Sequence, residues 1–183
     1  MDQEKVNILL NLAKESGAAG AEYFAGSQIV LNAHFRDICR SNTCGRYGRC
    51  YACPPDIGDI EKCMATIRSF PHVVLYQSIG TLEDSFDFEG MMDAGRNHSQ
   101  ISGRVHQAIK NIFSKPYLHL SCGCRLCDRC AKMDDLPCRH PDIALGAVEG
   151  HGVDVYQTVK DSSLKYVNGE NTVTYFGMLF YTE

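Results

Sequence analysis

Ten of the 183 residues are cysteines, and eight of them fall into two runs. The first run is Cys39-x4-Cys44-x5-Cys50-x2-Cys53-Pro54-Pro55. The second is Cys124-x2-Cys127-x2-Cys130-x7-Cys138. A C-x2-C-x2-C run wraps the backbone so that three thiolates converge on neighbouring irons of a cubane, and a distal cysteine near a proline supplies the fourth. Zinc sites draw two C-x2-C pairs from separate loops more often than three cysteines from one short run. The second run therefore points to a [4Fe–4S] cluster on Cys124, Cys127, Cys130 and Cys138. The C-x2-C-P ending of the first run suits either metal. A second [4Fe–4S] cluster on Cys39, Cys44, Cys50 and Cys53 is expected, with zinc as the alternative for both. Since the last cysteine of one run can serve the other run's cluster, a shared site also stays open.

Two cysteines lie outside these sets. Cys63 sits between Ile60 and Ile67 on the apolar face of an expected helix, where cysteine acts as a small hydrophobe. Cys122 adjoins the second run and could stand in for Cys124. The stretches 36–53 and 122–140 also hold Arg36, Arg40, Arg46, Arg49, Arg125, Arg129, Lys132 and Arg139, eight of the 18 basic residues. Cations there would offset the charge of a thiolate-bound metal and raise a cluster's potential. His140, His151 and Glu149 lie near the second run as further polar groups, without metal spacing of their own. No phosphate loop, dinucleotide fingerprint or H-E-x-x-H is present.

The elements that must carry these loops are legible from periodicity. Val6, Leu9, Leu10 and Ala13 predict a helix over ~4–16, ended by Gly17. Ala21–Ala25 and Ile29–Phe35 read as strands, and residues 36–58 as a loop. Ile57, Ile60, Met64 and Ile67 predict a helix, and His72–Ile79 a buried strand. An acidic surface connection over Thr81–Gly90 leads to a long helix at roughly 91–114. Tyr117–Leu120 reads as a short strand feeding the second loop, and Val153, Tyr156 and Val159 as a further helix. Leu164–Val167 and Thr172–Tyr181 flank Asn168-Gly169, which predicts a hairpin. The order gives an α/β (α+β) class: one domain over 1–183, with a mixed sheet, packed helices and cysteine-rich loops at about 36–56 and 122–141.

Composition bounds the function. A net charge of −4 excludes bulk binding to nucleic acid or membrane by charge, and a hydrophobic fraction of 44% excludes wholesale disorder. No apolar run approaches the ~18 residues of a membrane span. The start of the chain shows no basic and apolar leader, so a cytoplasmic, reducing location is expected, where clustered cysteines bind metal more often than they form disulfides.

At its cysteine loops the chain resembles the predicted metal-binding proteins termed domain of unknown function 2284, common in anaerobic bacteria and archaea. The resemblance rests on Cys39-x2-Asn42-x-Cys44-Gly45-x-Tyr47-Gly48, Cys53-Pro54-Pro55 with Gly58, and Gly123-Cys124-x-Leu126-Cys127-x2-Cys130. It continues through Pro137-Cys138-Arg139-His140-Pro141, Glu149-Gly150-x-Gly152-Val153-Asp154-Val155, Tyr166-x-Asn168-Gly169 and Thr172-Val173-Thr174-Tyr175-Phe176-Gly177. It implies metal binding, with iron–sulfur clusters as the expected form, and no assigned reaction. In the family's pattern the position of Cys50 is less regular than those of Cys39, Cys44 and Cys53. A first cluster with three protein thiolates would leave one iron open as a Lewis acid. The expected function is electron transfer, or cluster-dependent redox chemistry, with a redox partner protein or a small-molecule substrate. The alternative is a zinc-stapled interaction module.

Overall fold

The computed structural model describes residues 2–182; Met1 and Glu183, the ends of the expected unit, lie outside the described residues. Helix α1, Gln3–Glu15, begins where the Asp2 carboxylate accepts from the amides of Glu4 and Lys5, and it buries Val6, Leu9 and Ala13. Gly17, at φ +105°, turns the chain out of it into β1, Gly20–Ala25. The short helix α2, Phe35–Arg40, precedes the first cysteine loop. Helix α3, Ile60–Arg68, is capped by Asp59 and buries Cys63, Met64 and Ile67 on the face the sequence predicts. Strand β2, His72–Thr81, and the long helix α4, Phe88–Ile109, follow. Next come β3, Leu118–Ser121, the two-residue β4, Gly146–Ala147, the short helix α5, Val155–Val159, and β5, Thr172–Tyr181.

Among the described residues the strands form one sheet in the order β1-β2-β5-β3-β4. The pairs are antiparallel except for β3 with β4, so the sheet is mixed and the fold is α+β, as the sequence indicates. Strand β5, last in the chain, is wedged between β2 and β3. Both faces are covered. Val73, Leu75, Met178 and Phe180 pack with Ile67 of α3 and with Val155 and Val159 of α5. Val74, Tyr76, Leu179 and Tyr181 pack with Leu9 and Ala13 of α1 and with Ile101, Val105 and Ile109 of α4. Burial on both faces is why β2 reads as a continuous apolar run rather than an alternating one.

Three expectations are corrected. Residues 36–40, expected as loop, belong to α2, which carries Cys39 in its last turn. Ile29–Phe35 is not a sheet strand. Leu31 makes a single bridge to Val153, and Asn32 N donates to Gly152 O at 2.7 Å. The Asn32 side chain then accepts from His34 N at 3.0 Å and turns the chain into α2. The apolar alternation there serves local packing on the 152–154 turn. The hairpin across Asn168-Gly169 does not form either. β2 occupies one edge of β5 along its whole length, and β3 takes the other edge at residues 178–180. Leu164 is drawn into the core, Tyr166 stacks on Phe176 at 5.8 Å, and Asn168 donates to Lys165 O and Thr174 Oγ1. The turn chemistry survives without a paired partner strand.

A polar chain runs through the apolar face beneath α4. Tyr76 Oη donates to Ser102 Oγ and also meets His119 Nε2, both at 2.8 Å. Ser102 Oγ reaches Ser121 Oγ at 2.8 Å, and Ser78 Oγ reaches His98 Nδ1 at 2.8 Å. Tyr76 can cross the sheet only because Gly177 stands opposite it; a Cβ at Gly177 would lie 2.1 Å from the ring. Gly177→Ala is therefore expected to cost about 1–3 kcal/mol, the range for overpacking, in a denaturant titration.

Burial lowers the pKa of His98 to about 4 and that of His119 to about 3. Both are neutral in the folded chain and protonate near 6.5 when it unfolds. Their contribution is fully present above about pH 6.5 and is lost as pH falls toward about 4 and 3. Stability should fall on acidification below about 6.5. The double variant His98→Gln/His119→Gln should show a shallower slope of unfolding free energy against pH than the parent, with the thiols common to both proteins cancelling in the comparison.

Candidate metal centre

The first cysteine loop leaves α2 at Cys39 and is pinned from beneath. The buried Arg36 guanidinium donates to Gly58 O at 2.6 Å and to Gly150 O at 3.0 Å, tying α2 to the loop's far end and to the turn at 149–151. Asn42 takes the left-handed conformation, φ 56°, while its side chain accepts from Tyr47 N at 2.9 Å. Gly48 N then donates to Pro54 O, and Cys53 N to Cys50 O, closing the loop on itself. The second loop leaves the sheet at Ser121. Cys122 bridges to Ala147, and Gly123 at φ +88° reverses the chain ahead of Cys124. A single 3-10 turn, Ala131–Asp134, follows Cys130.

The two loops are fastened to each other. Arg46 Nη1 donates to Cys124 O at 2.8 Å, Ala147 N to Ala52 O at 3.0 Å, and Tyr51 Oη to Leu136 O at 2.9 Å. Lys132 pairs with Asp56 at 2.6 Å and lies over the Tyr51 ring. Among the cavities between them, two are lined by most of the cysteines. One, of about 270 Å³, is lined by Cys44, Cys50, Cys124, Cys127, Cys130 and Cys138. The other, of about 560 Å³, is lined by Cys39, Cys44, Cys53 and Cys122, with Arg125 and Glu149.

The structure thus brings Cys124, Cys127, Cys130 and Cys138 to one cavity, as their spacing suggests, and it places Cys50 with them. Cys39, Cys44 and Cys53 share the other cavity, and the sulfur that joins them there is Cys122. Cys50 of the first loop thus faces the second loop's cavity, Cys122 faces the first loop's, and Cys44 lines both, an arrangement that spacing along the chain does not encode. Cys63 stands apart, its thiol on Ile57 O at 3.4 Å. All ten cysteines are free thiols. Among the described residues no three Cys, His, Asp or Glu side chains are grouped to hold a single metal ion.

Electrostatics mark where the sulfurs crowd. An S–H from Cys124, and a second from Cys53, pull the Cys50 thiol well below the usual thiol range. Sharing with Cys50, then burial, pushes Cys53 and Cys124 up. Burial is the first cause that raises Cys39 and Cys122, and it also raises the Glu149 carboxyl. Sulfurs in contact in a half-buried site cannot all be thiolates at once without a cation; a metal displaces the protons they share.

The eight basic side chains of the loops divide by role. Arg36 is a structural tie. Arg40 and Arg129 pair outward with Asp37 and Asp134, and Lys132 pairs with Asp56. Arg46, Arg49, Arg125, Arg129 and Arg139 line the cavities. His140 lines the smaller cavity, its amide donating to Cys138 Sγ at 3.4 Å, whereas His151 meets Ala147 O at 2.7 Å. Phe88, Met91, Met92 and Tyr175 complete the larger cavity. Phe88 falls in the Thr81–Gly90 stretch read as surface, Met91 and Met92 open the helix expected at roughly 91–114, and Tyr175 lies in the C-terminal strand, so no spacing singles them out.

Cysteine-rich loops interlocked on the β3–β4 side of a mixed sheet place the chain among thiol-rich metal-binding proteins. It belongs to the family described as predicted metal-binding protein (DUF2284), whose model matches residues 22–181. No curated protein and no solved structure matches the chain.

Arg46 lines both cavities and also bonds across the loops. Arg46→Ala removes a charged hydrogen bond, expected to cost about 1.5–3 kcal/mol. In the reduced, metal-free protein it should also shift thiolate formation, followed by ultraviolet absorbance, to higher pH, because the guanidinium lowers Cys50 and Cys53.

Proposed function

We propose that the protein binds two [4Fe–4S] clusters, one in each cavity, and serves electron transfer or cluster-dependent redox chemistry on a small molecule. The observation that carries this reading is the gathering of Cys124, Cys127, Cys130 and Cys138 around one space of about 270 Å³. That space suits a multinuclear centre. A single zinc gathers its sulfurs at about 2.3 Å from one point and needs only four of them. The ligands proposed there are Cys124, Cys127, Cys130 and Cys138. In the larger cavity they are Cys39, Cys44 and Cys53, with Cys122 as the fourth sulfur in place of Cys50.

Such clusters would supply one-electron storage at potentials that the protein sets. The chain's own contribution is visible in its residues. Arg46, Arg49 and Arg139 line the smaller cavity as cations against the thiolate charge. The His140 amide donates to Cys138 Sγ, a bond that favours the anionic, metal-bound form of the sulfur. Arg36, Tyr51 and Lys132 hold the loops so that the sulfurs stay in place. A redox partner protein or a small-molecule substrate would exchange electrons with the site. No helix among the described residues is long and apolar enough to cross a membrane.

Anaerobic purification is expected to give a brown protein with about eight irons and eight sulfides per chain. A colourless preparation with stoichiometric zinc overturns the reading in favour of a zinc-stapled module. Cys122→Ser should lose about half the iron and one of two EPR signals. Cys50→Ser should retain both clusters, and Cys63→Ala should retain all the iron. Loss of the first cluster in Cys50→Ser with none in Cys122→Ser would restore the grouping by run.

A further inference from the structure

The larger cavity has two features beyond its sulfurs. The first is Arg125. Its Nε is buried without a hydrogen-bond partner. Its guanidinium carbon lies 5.9 Å from the centre of the Tyr175 ring, and its other flank is pressed on Gly95 of α4, where a Cβ would come within 2.8 Å of Nε. The Tyr175 ring is itself fixed by a 2.7 Å bond from its hydroxyl to Met91 O. Arg40, Arg96, Arg129 and Lys132 each pair with an aspartate, but among the described residues no carboxylate pairs with Arg125, although Glu149 lines the same cavity. A rigidly held guanidinium that lines the cavity beside the Cys122 sulfur has more donors than that sulfur can engage, and a carboxylate is the anion that matches them.

The second feature is the apolar wall. Phe88, Met91, Met92 and Tyr175 line one side of the cavity. Phe88 is 69% exposed and Met92 45% exposed, large apolar surfaces left at the mouth by a helix whose later turns bury theirs. At about 560 Å³ the cavity falls in the size range of small-molecule sites, which are mostly apolar with a few convergent polar groups.

We propose that this cavity binds a small organic acid, its carboxylate on Arg125 and its apolar body against Phe88, Met91, Met92 and Tyr175, beside Cys39, Cys44 and Cys53. The proposal deepens the redox reading by naming a substrate class, and it rests on that reading only in setting the ligand next to a metal-bearing cysteine set. A phosphate or an acid with a polar body would leave the apolar wall unused. A neutral apolar molecule would leave Arg125 unpartnered in a half-buried site, at a desolvation cost.

The test is calorimetric titration, under anaerobic conditions, of the full chain with acetate, butyrate, hexanoate and hexanamide, with iron and sulfide assayed on every preparation. Saturable binding at one site per chain is expected, tightening about fourfold per methylene that reaches the wall. Hexanamide should bind at least tenfold more weakly than hexanoate. Arg125→Gln should weaken hexanoate at least tenfold at unchanged iron content. Phe88→Ala, on the exposed rim, should weaken hexanoate and leave acetate unchanged, which keeps the test valid if the Arg125 variant folds poorly. Equal binding of amide and acid, or an Arg125→Gln protein that binds hexanoate as the parent does while only its reduction potential moves, overturns the proposal. So does the absence of saturable binding by a fully iron-loaded parent. Hexanoate binding to a preparation without iron and sulfide would sink the cluster reading while keeping the acid site.

Discussion

Nine sulfurs face two neighbouring spaces, and sulfur in its reactive form is an anion. That convergence is the constraint to which the remaining structure answers. Cys50, Cys53 and Cys124 already share protons through mutual contacts, because separate thiolates at that separation would repel strongly in a half-buried site. Two kinds of positive charge can relieve the crowding: a metal between the sulfurs, and cations around them. The chain supplies the second in Arg46, Arg49, Arg125 and Arg139. Its family is described as predicted metal-binding. Loops with this charge would spring apart unless fastened, and the fastenings are uncharged or locally balanced. They include Tyr51 on Leu136 O, Ala147 N on Ala52 O, and Lys132 on Asp56.

The sheet determines which loops can meet. Strand β5, last in the chain, completes the sheet between β2 and β3 and holds β3 up to Leu120, next to the second loop's root at Ser121. The first loop has no strand of its own at either end. Its position comes from Arg36, whose guanidinium ties α2 to Gly58 and Gly150, and from the 152–154 turn, which Asn32 and Val30 grip on the other side. One cysteine loop is therefore rooted in backbone strand pairing, and the other in a buried cation and turn contacts. This explains why Arg36 is buried although arginine rarely is.

Much of this was legible along the chain. Helices α1, α3 and α4 show the 3.6-residue repeat with capping aspartates, and β2 declares its two-sided burial as a run of Val73-Val74-Leu75-Tyr76. The failures have a common cause. Ile29–Phe35 and Leu164–Val167 have strand-like side chains, yet whether a strand forms depends on a free neighbouring edge, which no local pattern reveals. The same holds at the site. Spacing identifies Cys124, Cys127, Cys130 and Cys138 as one set because they lie on one loop. It cannot show that Cys50 crosses to them, or that Cys122 turns back toward Cys39 and Cys53, because those contacts depend on how two loops interlock across 70 residues of chain. Arg125 was legible as a cation but not as one without a carboxylate partner among the described residues.

The polar chain under α4 links core and site more tightly than an apolar core would. Ser121, the last residue of β3, is held through Ser102 by Tyr76, and Tyr76 by His119. A hydrogen-bonded network in a low-dielectric interior has few alternative arrangements, because breaking one member leaves a buried polar group unsatisfied. Apolar side chains could have filled the same volume and tolerated small slips of β3. The network does not, and the next residue along the chain is Cys122. Ser99 Oγ, on the same helix as Ser102, stands 3.9 Å from the Cys122 sulfur, so α4 touches both the last strand residue and the first cysteine of the loop. Gly177 completes the logic. Its missing side chain lets Tyr76 cross β5 toward Ser102, so a glycine in the C-terminal strand is a condition for placing sulfur at the head of the second loop.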